Sequence, residues 1–535
     1  MNITKPGATA VIDPQEQEKR PVMTDDQKKL RNLVDRRHPE YVANKDHWKF
    51  LESTYEGGRE WFKEGNIFRY VKEGNGEFAD RVERCYRFNH TKEVVDLLNK
   101  YLFKQNIIRN TDDAPESVKR FWTNATKNNL GIRDFMRQVG RKSSVAGRVA
   151  IVVDNNASTT GVISKADEAA AGVRTYAYAV GPAQILDFSW GEDGELLWIL
   201  LMEIARDDVD PLTSSGENKN RWRLWTRNEW FLFEERKVGR NGRTQIVQID
   251  SGNHALAAVP VVLCDHIITD EDYVAPSFID DIAYLDRAVA NYLSNLDAII
   301  QDQTFSQLAM PAQNVLPGSD TAKVLQEMGT KRVFLYDGEG GHPPMYLSPD
   351  PKQAQMVLSM VNKIINEIYH TSGMAGERTK EDNSLGIDNS SGVAKAYDFE
   401  RVNALLQAKA DSLEVTENRI ARLVAKWNGE SIEADLVSYP DNFDTRGLYD
   451  EFDIAARLML IEAPDEVRQE QMKAVIEKLF PQVAKAIKET MMNSLKEWPK
   501  DPIEMATEMA KATAVATPAT ANAKPGQGSV SKDTK

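Results

Sequence analysis

Two pairs of adjacent carboxylates are the side chains of this sequence whose type and spacing best suit chemistry. Asp280 and Asp281 begin an apolar-periodic segment, and Glu381 and Asp382 lie in a segment rich in Gly, Asn and Ser. Paired carboxylates can bind a divalent metal or transfer protons when they lie in a dry, rigid cleft. We expect neither pair to do so, because the first is placed to stabilise a helix N-terminus and the second lies in a loop.

Seven histidines could ligate a metal, but none is followed by another at i+3 or i+4, the spacing that puts two ligands on one helix face. They are His38, His47, His90, His254, His266, His342 and His370. The sequence also has no GxxxxGK[ST] phosphate loop, GxGxxG turn, HExxH zinc motif or GxSxG nucleophile motif. We therefore expect no enzymatic activity, no catalytic or metal-binding residue and no cofactor.

Aromatic and basic side chains are interleaved between Asn220 and Phe233. Such a segment can form a platform on which single-stranded nucleic acid stacks. The same alternation is typical of strands with one buried face, and we favour that interpretation. The chain is also acidic, with 81 acidic against 67 basic residues and a formal net charge of −14. Because nucleic-acid coating needs clustered Lys and Arg, this composition argues against it.

Cysteine content and hydropathy indicate the compartment. Cys85 and Cys264 are far apart and form no CxxC motif, so we expect no disulfide framework. The N-terminal segment lacks the apolar core of a signal peptide, and no run of 18 or more apolar residues is present. These features predict assembly in a reducing, cytoplasmic setting and no membrane partner.

Helical and strand periodicities divide the first half of the chain. Residues 25–110 and 114–146 have helical patterns, with Thr91 as the expected N-cap of one helix. Residues 148–265 contain apolar and alternating segments separated by turns, among them an Asn-Gly turn at 239–242. These features indicate an antiparallel β region. The order of elements predicts an α+β fold.

A heptad pattern begins at Phe278 and continues for about three heptads, which predicts a helix over residues 277–305. The opposite face carries polar residues that include Asp286 and Arg287. Two interpretations stay open: the apolar stripe packs on the chain's own core, or it packs against copies of the chain in a ring. The candidate residues for such a seam between subunits are Ile282, Leu285, Val289, Tyr292, Leu296 and Ile299.

A lobe interrupts this helical region. Residues 306–351 contain Pro- and Gly-rich turns and short apolar runs that indicate strands. Residues 352–372 then return to a helical pattern. A lobe between an outgoing and a returning helix predicts a protrusion on a stalk.

A long loop follows at residues 373–392, with the sequence GMAGERTKEDNSLGIDNSSG. Long loops between two strong helices are usually functional or disordered. Residues 373–395 contain three positive and four negative side chains, so the loop is nearly neutral. Behind it, residues 393–428 predict a helix about 54 Å long, at 1.5 Å per residue.

Several strings resemble the portal proteins of tailed bacteriophages, the head-to-tail connectors of siphovirus-like and podovirus-like particles. They are YEGGR at Tyr55–Arg59, RFNHTKEVV at Arg87–Val95, FIDDIAYLDR at Phe278–Arg287, QTFSQLAMP at Gln303–Pro311, SGVAKAYDFE at Ser391–Glu400 and ENRIARLVAKW at Glu417–Trp427. The resemblance covers roughly residues 45–440. The order of helix, lobe, helix, loop and long helix is also similar to that family.

The resemblance implies a structural protein, a ring-shaped oligomer that is dodecameric in the virion and lies at a unique capsid vertex. Such a ring is a channel for viral genome packaging and DNA ejection. The implied partners are further copies of the chain, the terminase large subunit, head-completion or adaptor proteins, major capsid and scaffolding proteins, and double-stranded DNA. The implied location is the portal vertex of the virion, after assembly in the host cytoplasm.

The resemblance also implies a division of the α+β chain into portal domains. They are a flexible N-terminal arm at 1–24, a wing at 25–276, stem helices at 277–305 and 352–372, a clip at 306–351, a tunnel loop at 373–392, a long wing helix and return at 393–444, a helical crown at 445–510 and a disordered tail at 511–535. The implied DNA-channel candidates around the tunnel loop are Arg378, Lys380, Asn383, Asn389 and Lys395.

Two alternative functions belong to other classes of protein. A metal-dependent enzyme acting on nucleic acid would use carboxylates such as Asp280 and Asp281 as ligands. A multidomain scaffold would have the same elements and no channel. The size of the oligomer separates both from a portal ring.

Overall fold

The structure is a computed structural model. It describes residues 24–71, 73–156, 173–208, 210–238, 243–304, 307–311, 333–336, 345–347, 352–374, 392–440, 443, 464–479 and 485–495. The chain divides into two compact units, Met1–Phe443 and Asp444–Lys535, which are described separately.

Helices form the first part of the larger unit. They are α1 (Asp25–Val34), α2 (Pro39–Glu56), the short α3 (Arg59–Trp61) with a π-helical turn at Phe62–Asn66, α4 (Asn75–Arg84), α5 (His90–Leu102), α6 (Glu116–Thr123) and α7 (Ile132–Ala146). The expected N-cap Thr91 is wrong, because α5 begins at His90. Asn89 is the N-cap instead, and its side-chain oxygen accepts a hydrogen bond from Lys92 N at 3.0 Å.

Two antiparallel sheets follow. Their strands are β2 (Arg148–Asn155), β3 (Thr175–Val180), β4 (Ile185–Trp190), β5 (Leu196–Arg206), β6 (Asn218–Thr226), β7 (Glu229–Val238), β8 (Arg243–Asn253) and β9 (Val261–Asp265); a short β1 (Ile108–Arg109) precedes them. One sheet has the order β3-β2-β9 and the other is the meander β4-β5-β6-β7-β8. The predicted α+β class is confirmed. The Asn-Gly turn lies outside the described residues, and Val238 pairs with Arg243 on either side of it.

Two helices and a small sheet come next along the chain. Helices α8 (Asp280–Thr304) and α9 (Lys352–Thr371) flank the strands β10 (Gln307–Pro311), β11 (Val333–Tyr336) and β12 (Met345–Leu347). Strand β10 is central and pairs parallel with β11 and antiparallel with β12. Helices α8 and α9 pack against each other. The helices expected around the lobe, and strands within it, are therefore present.

A single long helix, α10 (Gly392–Trp427), packs into the main hydrophobic core. It contacts α5, α6, α7, β2 and β9, so it bridges the helical layer and the smaller sheet. Leu406, Leu413 and Val424 are buried along its length at helical spacing. The helix expected at 393–428 is confirmed within one residue at each end.

Polar contacts attach the segment after α10 to that helix. The buried Glu417 carboxylate accepts hydrogen bonds from Arg109 at 2.6 and 3.1 Å and from Tyr439 Oη at 2.8 Å. The Asn418 side-chain oxygen accepts from the backbone N of Leu436 at 2.9 Å. Strand β13 (Val437–Ser438) then pairs antiparallel with β1. Buried polar groups with partners of this kind fix a unique register.

The smaller unit has two described helices, α11 (Asp465–Leu479) and α12 (Lys485–Leu495). Pro464 precedes α11, where the missing proline N–H costs nothing. Helical structure was expected over residues 445–510, and these two helices lie within that range. The expected tail at 511–535 and residues 1–23 of the expected arm lie outside the described residues.

Lysine 409 is a charged residue placed inside the core. It lies on α10, and its Nζ donates a hydrogen bond to Ser143 Oγ of α7 at 2.5 Å. Burial lowers the pKa of Lys409 to about 8, an effect partly offset by Cys264 and Asp265 of β9. His266 is buried as well, and its burial together with the Lys409 charge holds the pKa of His266 well below its usual range. The ammonium form of this lysine therefore destabilises the fold.

Removing this lysine changes the pH dependence of stability. Between pH about 8 and 10.5 the unfolded chain keeps the Lys409 proton that the folded chain has released, so stability rises with pH. Lys409→Met should be the more stable protein at pH 7, by at most about 3 kcal/mol, because methionine removes the buried ammonium but also loses the hydrogen bond to Ser143. The difference between the two proteins should shrink toward pH 10.5. Urea denaturation at several pH values measures it, and a constant difference would contradict the assignment.

Candidate functional site

The tunnel-loop candidates mostly lie outside the part of the chain that the structure describes. Arg378, Lys380, Asn383 and Asn389 fall in residues 375–391, which are outside it. Lys395 lies in the first turns of α10. Their expected role toward DNA stays a prediction.

The proposed seam between subunits is corrected in part by burial. Ile282 is 1% exposed and Val289 is 0% exposed, and both belong to the chain's own main core. A side chain that the chain itself covers has no surface left for a neighbouring copy, so these two residues are removed from the seam. Leu285 and Tyr292 are half-buried against the same core, and Leu296 and Ile299 are half-buried farther along α8. For these four residues the seam stays a prediction.

The two helices of the α8–α9 hairpin differ between their inner and outer halves. On α9, Val361, Ile365 and Ile368 are buried in the main core. Toward the lobe, Met356 is 66% exposed and Met360 is 40% exposed. Because these methionines are four residues apart, they lie on one face of the helix. The outer half of the hairpin therefore presents apolar side chains to solvent.

Helix α8 has an exposed outer segment as well. Ile300 is 48% exposed, and residues 295–299 are half-buried. Leu358 of α9 is also exposed. Single exposed apolar residues are common on protein surfaces, but several on one helix pair mark an interaction site. We treat this outer half as the candidate functional site.

Asp286 anchors the inner half of the hairpin by a buried charge. Its Oδ2 accepts hydrogen bonds from Thr91 N at 3.1 Å and Thr91 Oγ1 at 2.7 Å, at the start of α5. The Arg87 guanidinium lies 3.8 Å away, and burial lowers the pKa of Arg87. The negative charge also faces the positive end of the α5 dipole. The sequence placed Asp286 on a polar outer face, and the structure corrects this, since the residue is fully buried.

A second anchor ties α9 to the same helix. Tyr369 Oη donates a hydrogen bond to Glu93 Oε2 of α5 at 2.6 Å. Both helices of the hairpin are therefore attached to the N-terminal turns of α5, within a few residues of each other.

A small segment at 59–85, here called the buttress, supports the outer side of α8. Its centre is the buried Arg81, which donates to Glu73 Oε1 and Oε2, both at 2.7 Å, and to Ser294 Oγ of α8 at 2.9 Å. These bonds lower the pKa of Glu73. The guanidinium also lies 4.0 Å from the centre of the Tyr70 ring. A bidentate Arg–carboxylate pair of this kind has a fixed geometry.

The carboxylate pair Asp280–Asp281 has a structural role in the fold. Asp280 Oδ2 accepts from Ser277 N at 2.9 Å, and Asp280 Oδ1 lies 2.8 Å from His47 Nε2. Asp281 is exposed. Among the described residues, no group of three or more His, Cys, Asp and Glu side chains could hold a metal ion. Within that part of the chain, no helix is both long and apolar enough to cross a membrane.

The aromatic and basic segment is part of the meander sheet. Trp222 and Trp225 of β6 are buried, as is Phe233 of β7, so these rings cannot stack on a nucleic-acid base. Arg223 lies between Glu203, at 2.9 Å, and Asp154, at 3.7 Å. The interpretation as strands with a buried face is confirmed.

A cleft of about 550 Å³ lies between α2, α7 and the connection from β3 to β4. Glu52 and Glu56 line one part of it, and Arg141 and Lys142 line another. Burial raises the pKa of Glu52, and repulsion from Glu56 adds to that effect. The lining residues include no cysteine, serine or histidine that could act as a nucleophile or as its base.

Removal of the buried Asp286 charge tests the anchor. Asp286→Ala leaves Arg87 buried without its counter-charge, so we expect a loss of about 3–5 kcal/mol in the free energy of unfolding. Urea denaturation followed by circular dichroism measures this loss. The matched control Asp281→Ala, at an exposed position of the same helix, should cost less than about 1 kcal/mol. Adding Arg87→Met to Asp286→Ala should recover part of the loss; equal losses for Asp286→Ala and Asp281→Ala would contradict the anchor.

Among known proteins, this chain is similar to chains of several solved structures. No protein-family model matches the sequence, and no curated protein matches it. A chain from the neck of an empty GTA particle computed with C6 symmetry is 13% identical, with a TM-score of 0.35, over 82% of this chain and 98% of that chain. A chain from the virion of a native gene transfer agent (GTA) particle is 13% identical, with a TM-score of 0.35, over 76% of this chain and 98% of that chain. This protein is thus similar in structure to chains from the neck and the virion of gene transfer agent particles.

Proposed function

We propose that this chain is the subunit of a portal ring, a structural protein at one vertex of a phage-like capsid. The observation that carries the proposal is the α8–α9 hairpin. Its inner half is anchored in the core by Asp286 and Tyr369, and its outer half carries exposed apolar side chains and leads to a three-stranded sheet. The portal-like strings at Phe278–Arg287 and Gln303–Pro311 lie on this hairpin and at the start of its sheet.

A ring is the assembly that the exposed surfaces favour. Met356 and Met360 lie on α9, whereas Ile300 lies on α8. In the proposal, the exposed side chains of α9 on one copy meet those of α8 on the next, which is a heterologous contact. Repetition of such a contact around an axis closes a ring when the rotation fits. A dodecamer is the proposed closed form in the virion.

Weak interaction with DNA is consistent with the charge of the chain. A protein that neutralises many phosphates releases many counterions and binds tightly, which would oppose the movement of DNA through a channel. This chain has a net charge of −14, and residues 373–395 are nearly neutral. In the proposal, the tunnel loop at 373–392 contacts double-stranded DNA during packaging and ejection without holding it.

The proposal assigns the remaining segments by the same resemblance. Helices α8 and α9 are the stem, and the sheet β10–β12 is the core of a clip that docks the terminase large subunit and later the head-completion or adaptor proteins. Residues 25–276 and α10 form the wing, and α11 and α12 belong to a crown that faces the capsid interior. Capsid and scaffolding proteins are the proposed partners at the vertex. The subunit itself has no enzymatic role in this proposal, because the terminase supplies the motor.

We expect charged residues on the outer face of α9 to reduce the assembly of large oligomers. Met356→Glu combined with Met360→Glu places two charges in the proposed contact, so we expect the fraction of chains in large oligomers to fall about tenfold or more. Both residues are exposed in the single chain, so each subunit should still fold, and its circular dichroism spectrum should stay unchanged. Native mass spectrometry measures the oligomers. The control pair Asn362→Glu and Asn366→Glu adds the same charge at other exposed positions and should assemble normally; normal rings from the methionine pair would remove the stem from the contact.

The tunnel loop should act after assembly. Deleting residues 376–390 should leave the oligomer intact while DNA packaging or retention falls, because the loop is assigned to the channel and not to the contacts between subunits. Oligomer mass and packaged DNA per particle are the two measurements. Normal packaging by the deletion variant would take away the role assigned to the loop.

A further inference from the structure

A half-buried arginine of the larger unit, Arg287, lies among aromatic rings. The Arg287 guanidinium of α8 lies 4.6 Å from the centre of the Phe50 ring, 5.0 Å from that of Tyr284 and 5.3 Å from that of Phe68. These four residues are called the arginine cage below. Helix α2 supplies Phe50, the buttress supplies Phe68, and α8 supplies the other two.

The arginine cage is open to solvent and is held in place from behind. Phe68 is 56% exposed and Tyr284 is 43% exposed. The Phe68 backbone N donates to Asn291 Oδ1 of α8 at 2.8 Å, which fixes this ring relative to the helix. His47 stacks on Tyr284 with ring centres 5.9 Å apart. The patch is therefore a preformed surface made by three separate segments of the chain.

The Arg287 charge has no acidic partner in the part of the chain that the structure describes. Two other arginines there do have one: Arg227 pairs with Asp193 at 2.7 Å, and Arg422 pairs with Asp435 at 2.5 Å. Rings around a guanidinium attract its charge and hold its plane, and they leave its in-plane N–H donors available. Carboxylates and phosphates both match such a fork, through two parallel hydrogen bonds, and a carboxylate is the one that a protein surface supplies from its own side chains.

The composition of the patch is that of a binding hot spot. Tyr, Phe and Arg are enriched at the centres of protein interfaces, and Arg and Tyr are common among the few residues that supply most of the binding energy. When a partner covers these rings, water is excluded and the local dielectric falls. An ion pair between Arg287 and a carboxylate of the partner then becomes stronger. The patch is thus suited to a protein surface that brings a carboxylate with it.

We propose that the arginine cage binds a carboxylate-bearing segment of a second copy of this chain. The charge of the chain supports this occupant, since 81 acidic residues against 67 basic ones give each copy an excess of carboxylates. The contact is heterologous, because a cage on one copy meets an acidic segment on the next. The proposal rests on the proposed ring and adds to it a contact away from the stem's outer half.

Charge reversal at the cage tests the contact. Arg287→Glu should lower the fraction of chains in large oligomers by about tenfold or more, as expected for a hot-spot arginine. Arg287→Lys keeps the charge without the planar fork and should give an intermediate loss. Arg84→Glu is the matched control, because Arg84 is exposed at the end of α4 and makes no ring contact among the described residues. Assembly of the wild-type chain should also weaken with added salt.

Cross-linking tests the contact between two copies without using the Arg287→Glu variant, so its result does not depend on whether that variant folds. Phe68 is exposed, so Phe68→p-benzoylphenylalanine should fold and should cross-link when illuminated. In a mixture of ¹⁴N- and ¹⁵N-labelled chains, we expect mixed-label peptides that join position 68 to a segment containing Asp or Glu.

The outcomes separate this contact from the ring itself. Normal rings from Arg287→Glu, or cross-links only within one chain, overturn the cage contact and leave the portal ring standing. Cross-links to a different protein of the particle, and not to a second copy, also overturn it. A wild-type chain that stays monomeric under all assembly conditions overturns both proposals.

Discussion

The arrangement of the hairpin depends on one buried charge, Asp286. Its carboxylate has its hydrogen-bond partners on Thr91 and its counter-charge on Arg87 in only one register of α8 against α5. A shift of one residue moves a helical side chain by about 1.5 Å along the axis and about 100° around it, which would separate these groups. Apolar side chains can repack after a small shift, but an unpaired buried charge costs several kcal/mol. The register of the α8–α9 hairpin is therefore set by electrostatics within an apolar core.

The inner half of the α8–α9 hairpin is anchored, whereas its outer half is uncovered. The buttress holds α8 at Ser294, and Tyr369 holds α9 to α5. In contrast, the side chains described at 295–301 and 352–360 are exposed or half-buried. The hairpin is thus rigid where it meets the core and uncovered where it approaches the sheet β10–β12. A closed ring needs the same angle at every contact, and a stiffly mounted helix pair meets that need better than a flexible loop would.

Sequence patterns predicted the elements well and their surroundings less well. The heptad spacing from Phe278 located α8, and turn chemistry located the antiparallel strands. The same spacing could not tell which surface covers the apolar stripe, so Ile282 and Val289 stayed candidates for a seam until the structure showed that the chain itself buries them. Asp286 was placed on the polar face because helical periodicity does not show contacts with residues far away in the sequence, such as Arg87 and Thr91. A cap and a buried-charge partner use the same residue types, which is why Thr91 was given the wrong role.

Net charge and local charge have different effects on assembly. Copies that each carry −14 repel one another, but charges separated by more than about 10 Å are largely screened at 0.1 M salt. The charges that decide association are therefore those inside the contact, where water and ions are excluded. In the proposed contact, Arg287 attracts a carboxylate of the next copy. The repulsion between distant acidic residues is screened, so it does not cancel this attraction. In the proposed channel, the same net charge disfavours tight binding of DNA phosphates, so it is compatible both with the proposed contacts between subunits and with loose contact with the genome.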